Sequence, residues 1–379
     1  MPAVLALGFR PFYWLASVYA ALSIALWALQ YGGYLGGAPI RGPFWHAHEM
    51  LFGYAIAVVA GFLFTAVRNW ANRPTPTGPA LGLIVALWLA GRILVFTPFA
   101  LAAAIVNALF PLAVAVGIAV PLFKSGNRRN YFFVALLAAA SVAVLMFHLA
   151  AMGVVRWPER ASLQVGLDIV LFIITVVAGR VIPMFTNNGV PGAGATRKAW
   201  LEKAALATVL AVLAADALRL PAALVGAVAF LAAAANGARL TLWNPWRTLR
   251  VPLVWVLHAA YLWIPIHLLL RGLAAFGLFP GNLAAHALTI GVIGGMTIGM
   301  MTRTARGHTG RPLAADRAEV TAYALVQLAA LVRVFGPVVS TAYVFTVFAS
   351  ATLWSVAFAI YAVRYWPILT RPRVDGKPG

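Results

Sequence analysis

The stretch FWHAHEMLFGYAIAVVAGFLFTAVR, residues 44–68, decides the fold. From Met50 to Val67 it carries no charge, and its apolar side chains follow one another without alternation. A run of that length fits an α-helix crossing the hydrocarbon core, which takes about 20 residues. A strand of a membrane barrel would alternate apolar and polar positions, and this segment does not. Water cannot satisfy backbone groups inside a bilayer, so an open, irregular crossing is excluded. Runs of the same kind fill the rest of the chain, which reads as an all-α polytopic membrane protein.

Composition agrees. The 379 residues are 63% hydrophobic and only 9% charged, against about 25% charged in a soluble domain. Net charge is +20, but the basic residues sit in short loops between apolar runs. There they set orientation and meet anionic headgroups, so nucleic acid is not the expected partner. The chain has no Cys, which excludes disulfides, thiolate metal ligands and covalently attached c-type haem. Any metal must use His, Met, carboxylate or backbone oxygen. The opening MPAVLALGFRPFYWLAS (1–17) shows no cleavable signal and is expected to run directly into the first span.

Twelve spans are predicted, at 12–33, 45–67, 79–97, 99–123, 131–153, 162–184, 200–218, 221–240, 250–275, 283–303, 318–336 and 342–365. They form one integral membrane domain over 1–379, with a short N-terminal segment (1–11) and a polar tail (366–379). Twelve crossings place both termini on one face. Of the 28 Lys and Arg, only Arg41, Arg92, Arg156, Arg160, Arg219, Arg271 and Arg333 then fall on the opposite face. The positive-inside rule makes the basic face, with both termini, cytoplasmic.

This orientation gathers His46, His48, His148, His267 and His286 at one depth, in the outer leaflet, with His258 deeper and His308 in a cytoplasmic loop. Ionisable groups at membrane depth are costly and mark functional sites. Neutral imidazole is also the commonest ligand for transition metals and for haem iron. The competing reading of any one of them is a packing histidine bonded to a carbonyl. His46 and His48 are two apart and point to different helix faces, so at most one faces a given cofactor directly. An internal echo adds to the pattern. HEMLFGYAIAVVAGFLFTAVR from His48 and HALTIGVIGGMTIGMMTRTAR from His286 share His, then Gly53/Gly291, Gly61/Gly299 and Arg68/Arg306. The echo is compatible with three four-helix units in which spans two, six and ten correspond. On that reading His48 and His286 are a natural axial pair for one haem. Glu49 and Asp168 lie in outer halves of spans, where they can orient a histidine, carry protons, or pair with Arg92 or Arg271. Arg92 and Arg180 either snorkel from span ends or hold haem propionates.

The segments LALGFRPFYWLA, WHAHEMLFGYAIAVVAGFLFTAVRNW, GRVIPMFTNN, PLVWVLHAAYLWIP and HALTIGVIGGMTIGMMTRTARGHTGRPL resemble the signature segments of the NnrS family of bacterial inner-membrane proteins. The resemblance implies a twelve-span protein holding haem (non-covalent, b-type) and copper. It further implies a link to nitric oxide, denitrification and nitrosative-stress tolerance, and a location in the inner (cytoplasmic) membrane. Carried over by position, the family's histidines fall on His46, His48, His148, His258, His286 and His308, while His267 stands where an apolar residue is expected. The spans also suggest the haem–copper oxidase and nitric oxide reductase architecture, although spans six and seven lack the copper-ligating histidines of that fold. The expected activity is binding and reduction of nitric oxide, with Glu49 and Asp168 carrying protons and a quinol or external carrier giving electrons. A twelve-span transporter of a metal or haem-related compound and a haem-based sensor or sink without turnover are the rival readings.

Overall fold

The computed structural model describes residues 2–36 and 42–377. Arg41, used above for orientation, and both chain ends lie outside those residues. Twelve long helices follow in order among the described residues: α1 (Phe9–Tyr31), α2 (Pro43–Ala71), α3 (Gly78–Leu94), α4 (Ala100–Lys124), α5 (Phe132–Ala151) and α6 (Glu159–Gly189). Then come α7 (Ala199–Ala217), α8 (Ala222–Thr241), α9 (Pro252–Ala275), α10 (Gly281–His308), α11 (Arg317–Val339) and α12 (Tyr343–Thr370). Ten of these helices are long and apolar enough to cross a membrane. The exceptions have plain causes: α3 has only 17 residues, and α7 carries Glu202, Lys203 and Asp216. Large apolar side chains such as Leu83, Ile93, Val116 and Leu231 are exposed on the helices. That is the surface lipid covers in a membrane protein.

Several helices outrun their predicted spans. Helix α10 continues to His308 and α12 to Thr370, so the polar tail begins at Arg371, later than predicted. Helix α11 begins with a capping box: Asp316 accepts from the Glu319 amide at 3.1 Å, and Glu319 accepts from the Asp316 amide at 2.8 Å.

The described residues sort into two compact units. One comprises Met1–Ile169, Thr304–Pro312 and Phe358–Gly379; the other comprises Val170–Arg303 and Leu313–Ala357. In the first, α1, α2 and α4 pack together and α4 packs between α3 and α5. In the second, α9 packs on α8 and α10, and α11 packs on α10.

Two helices depart from α geometry at matching places. In α2 the stretch Glu49–Ala55 is π-helical, and in α10 the stretch Ala287–Gly294 is π-helical. Each begins on the residue after the echoed histidine, His48 or His286. A π turn holds one more residue than an α turn and re-aims the side chains around it; such turns cluster at functional sites. The echoed glycines lie at close approaches. A Cβ on Gly53 would strike the Arg92 guanidinium, and one on Gly291 would strike the Trp263 ring. Gly61 and Gly299 admit α1 and α9, through Phe12 and Tyr13 at 3.0 Å and Leu257 and Val256 at 2.9 Å. Helix α6, the weakest copy of the echo, is α-helical over its whole length.

Candidate functional site

The first unit holds a continuous buried network on α1–α5. His48 and Glu49 are fully buried neighbours at the junction where α2 turns π-helical. His48 Nδ1 donates to Glu49 Oε1 at 2.6 Å. The other carboxylate oxygen accepts from Arg92 on α3 and from the Tyr19 hydroxyl on α1. Arg92 also donates to Asn107 Oδ1 on α4, and Asn107 Nδ2 donates back to the Ala103 carbonyl at 2.9 Å. Trp88 Nε1 donates to the Gly53 carbonyl at 2.8 Å within the π stretch. Glycine at 53 is required because the Arg92 guanidinium lies where its Cβ would be.

With its Nδ1 proton on a carboxylate, His48 presents Nε2 as a lone pair. That nitrogen meets His148 Nε2 of α5 at 3.0 Å, with Phe147 and Phe52 packed around the rings. A carboxylate behind one imidazole is the arrangement that fixes ring and tautomer in metal-ligating histidines. Three donors, from His48, Arg92 and Tyr19, occupy the Glu49 oxygens. Asp168, equally buried on α6, accepts from Gln164 Nε2 at 3.0 Å. The His46 ring stacks on Trp27 with centroids 5.2 Å apart.

The second unit holds His258, His267 and His286. His258 of α9 is buried, with Nε2 2.8 Å from Thr186 Oγ1. The Thr186 hydroxyl donates to the Ile182 carbonyl, so it accepts from His258 Nε2–H. His258 Nδ1 is thereby a lone pair, buried and without a hydrogen-bond partner. His267, the residue set aside on resemblance, has the same character: Nδ1 donates to the Ala284 carbonyl at 2.8 Å, and Nε2 is buried without a partner. His286 Nδ1 donates to the Asn282 carbonyl at 2.6 Å, which makes Nε2 its acceptor nitrogen. Arg180 is half-buried on α6. His308 packs against Phe9 in the first unit, with ring centroids 5.7 Å apart.

The sequence reading did not anticipate a second charged network. Arg239 of α8, almost fully buried, donates through Nε and Nη2 to Glu202 of α7 at 3.0 and 2.6 Å. Its Nη1 donates to the Thr175 carbonyl and to Tyr261 Oη, each at 3.1 Å. Tyr261 in turn donates to Asn236 Oδ1 at 2.6 Å. Arg239 near a span end resembles a snorkelling residue; the available signal was Asn236 one turn before it, two polar side chains on one helical face. Arg271 pairs with Asp216 in this unit.

Among the described residues, no three His, Asp or Glu side chains converge as a ready-made metal site. The fold and these side chains define a polytopic helical membrane protein whose two units each bury imidazoles with lone pairs held in set directions. The chain belongs to the NnrS family: the sequence profile described as "NnrS protein" matches residues 3–373. No curated protein matches it closely enough to count as a relative.

Proposed function

We propose that this protein is a haem–copper membrane protein that binds nitric oxide and reduces it. The observation supporting the reading is the buried His48–His148 contact with Glu49 behind it. Two imidazole Nε2 atoms, one tautomer fixed by a carboxylate and both rings in an apolar enclosure, are a donor set that suits copper. His48 and His148 would hold it, with Glu49, Arg92 and Tyr19 fixing His48.

The haem requirement fits His286. Its Nδ1–H is bonded to a carbonyl, as in ligating imidazoles, so Nε2 is the nitrogen that would ligate iron. His48 is the weaker haem ligand, because an iron on its Nε2 would have to displace His148. His258 and His267 are further nitrogen donors of the second unit. When bound, haem and copper supply NO coordination and electron transfer.

Reduction of two NO molecules to nitrous oxide and water consumes two electrons and two protons. A quinol or an external carrier would give the electrons. Asp168, buried and hydrogen-bonded to Gln164, is the group positioned to hold a proton. NO is small and apolar, so it reaches a buried site through lipid without a polar channel.

The purified protein should show a haem absorption spectrum. His286→Ala should lose that spectrum, whereas His148→Ala should keep it. A colourless wild type, or full haem content in His286→Ala, contradicts the haem assignment. Supplied with a reductant, the wild type should consume NO. Haem without NO consumption supports a sensor or sink instead.

A further inference from the structure

A second polar assembly of the first unit takes no part in the chemistry above. It forms where the start of α1, the end of α10 and the C-terminal tail meet. Fully buried Arg10 donates through Nη1 to the carbonyls of Leu369 and Arg371, at 3.0 and 2.8 Å. Arg373 donates to the His308 carbonyl at 2.9 Å and pairs with Asp375 at 2.6 Å. The Val374 amide donates to the Thr309 carbonyl at 3.2 Å. These bonds strap RPRVDG (371–376) across the turn sequence GHTGR (307–311). Gly310 (φ +77°) permits the approach, since a Cβ there would lie 2.8 Å from the Asp375 carboxyl carbon.

The strap concentrates positive charge. Arg10 lies within electrostatic reach of Arg311 and Arg373, and Arg311 within reach of Arg306 and Arg371. Among the described residues of this unit the acidic side chains are Glu49, Glu159, Asp168 and Asp375, and Asp375 pairs with Arg373 in the cluster. Among the described residues, Arg311 Nη1 is buried and has no hydrogen-bond partner. Burial holds the Arg311 guanidinium below its ordinary value, and Arg306 and Arg371 push it the same way. An excess of basic residues on this face is expected from topology alone. A buried, unpartnered guanidinium nitrogen is not, because a diffuse surface potential does not satisfy a specific donor.

We propose that this arginine cluster binds a phosphate group, with Arg311 Nη1 as a direct donor and the tail strap as one wall of the site. Planar guanidinium forks match the several acceptor oxygens of a phosphate. The cluster lies at the ends of three apolar helices, the level at which basic groups meet anionic headgroups. The phosphodiester of an anionic lipid and free phosphate offer the same chemistry, and the assay separates them.

Full-length protein, stripped of lipid in neutral detergent, is titrated with phosphatidylglycerol, with phosphatidylcholine and with inorganic phosphate while melting is followed by tryptophan fluorescence. Phosphatidylglycerol should raise Tm saturably, and phosphatidylcholine, whose choline offsets the phosphate charge, should not. Arg311→Gln should weaken the response about tenfold, the loss of one charge-assisted hydrogen bond. Arg371→Gln keeps its backbone bond to Arg10, should also weaken binding, and tests the proposal if Arg311→Gln does not fold. Competition by inorganic phosphate identifies a free-phosphate site, and phosphatidylglycerol binding indifferent to phosphate identifies a lipid site. Equal responses to both lipids with none to phosphate, or unchanged affinity in both variants, overturns the proposal.

Discussion

Glu49→Ala is expected to destabilise the protein by roughly 3–5 kcal/mol, the usual cost of removing one partner of a buried ion pair. The carboxylate is fully buried and accepts from Arg92, Tyr19 and His48. Its removal strands the Arg92 guanidinium, itself 7% exposed, among side chains that carry no opposite charge, Asn107 and Tyr19. Most of the cost is that uncompensated charge, so Glu49→Ala/Arg92→Met should recover much of it. Thermal unfolding of wild type, both single variants and the double variant completes the cycle. The same substitution frees the His48 ring to rotate, and losing an anchor of this kind commonly weakens metal binding about 10–100-fold. A purely structural ion pair would leave metal affinity untouched once the double variant had regained its stability. An unaltered melting temperature in Glu49→Ala would mean that the buried pair does not form.

Gly179→Ala should be the most damaging one-carbon change in the second unit, at roughly 3–5 kcal/mol if it breaks the Arg239–Glu202 pair. The added methyl would fall on Arg239 Nη2, with Glu202 Oε2 3.0 Å away. Arg239 cannot withdraw cheaply, because its Nη1 is bonded to Thr175 and Tyr261 and its other nitrogens to Glu202. Gly237→Ala is the control. It lies on α8, a Cβ there would find only Pro265 at 3.8 Å, and alanine favours helix. Its melting temperature should match or slightly exceed that of the wild type. Equal melting of Gly179→Ala and Gly237→Ala would refute the packing of Arg239 against Gly179.

The helical architecture was legible because it rests on local properties. Uncharged runs such as 50–67 specify helices whatever their partners, and each predicted span coincides with a helix. The burial of His48 and His148 within apolar helices was legible from their places in apolar runs. Their pairing was not, because it depends on the packing of α2 near α5 and on the π turn that aims His48. No residue type signals a π turn, and Gly53 and Gly291 read equally well as ordinary packing glycines. Glu49, read as a residue that orients a histidine, carries protons or pairs with Arg92 or Arg271, contacts both His48 and Arg92, whereas Arg271 pairs with Asp216. Arg239 was hidden by its place near a span end, where the local rule favours snorkelling and only tertiary contact with Glu202 says otherwise.

Metal analysis of the purified protein, joined to X-ray absorption at the copper edge, bears most directly on the His48–His148 centre. The wild type should hold copper with imidazole nitrogen in its coordination shell. His148→Ala and His48→Ala should each lose that copper while retaining the fold. Copper bound undiminished in both variants, or a nitrogen-free shell in the wild type, would contradict the assignment.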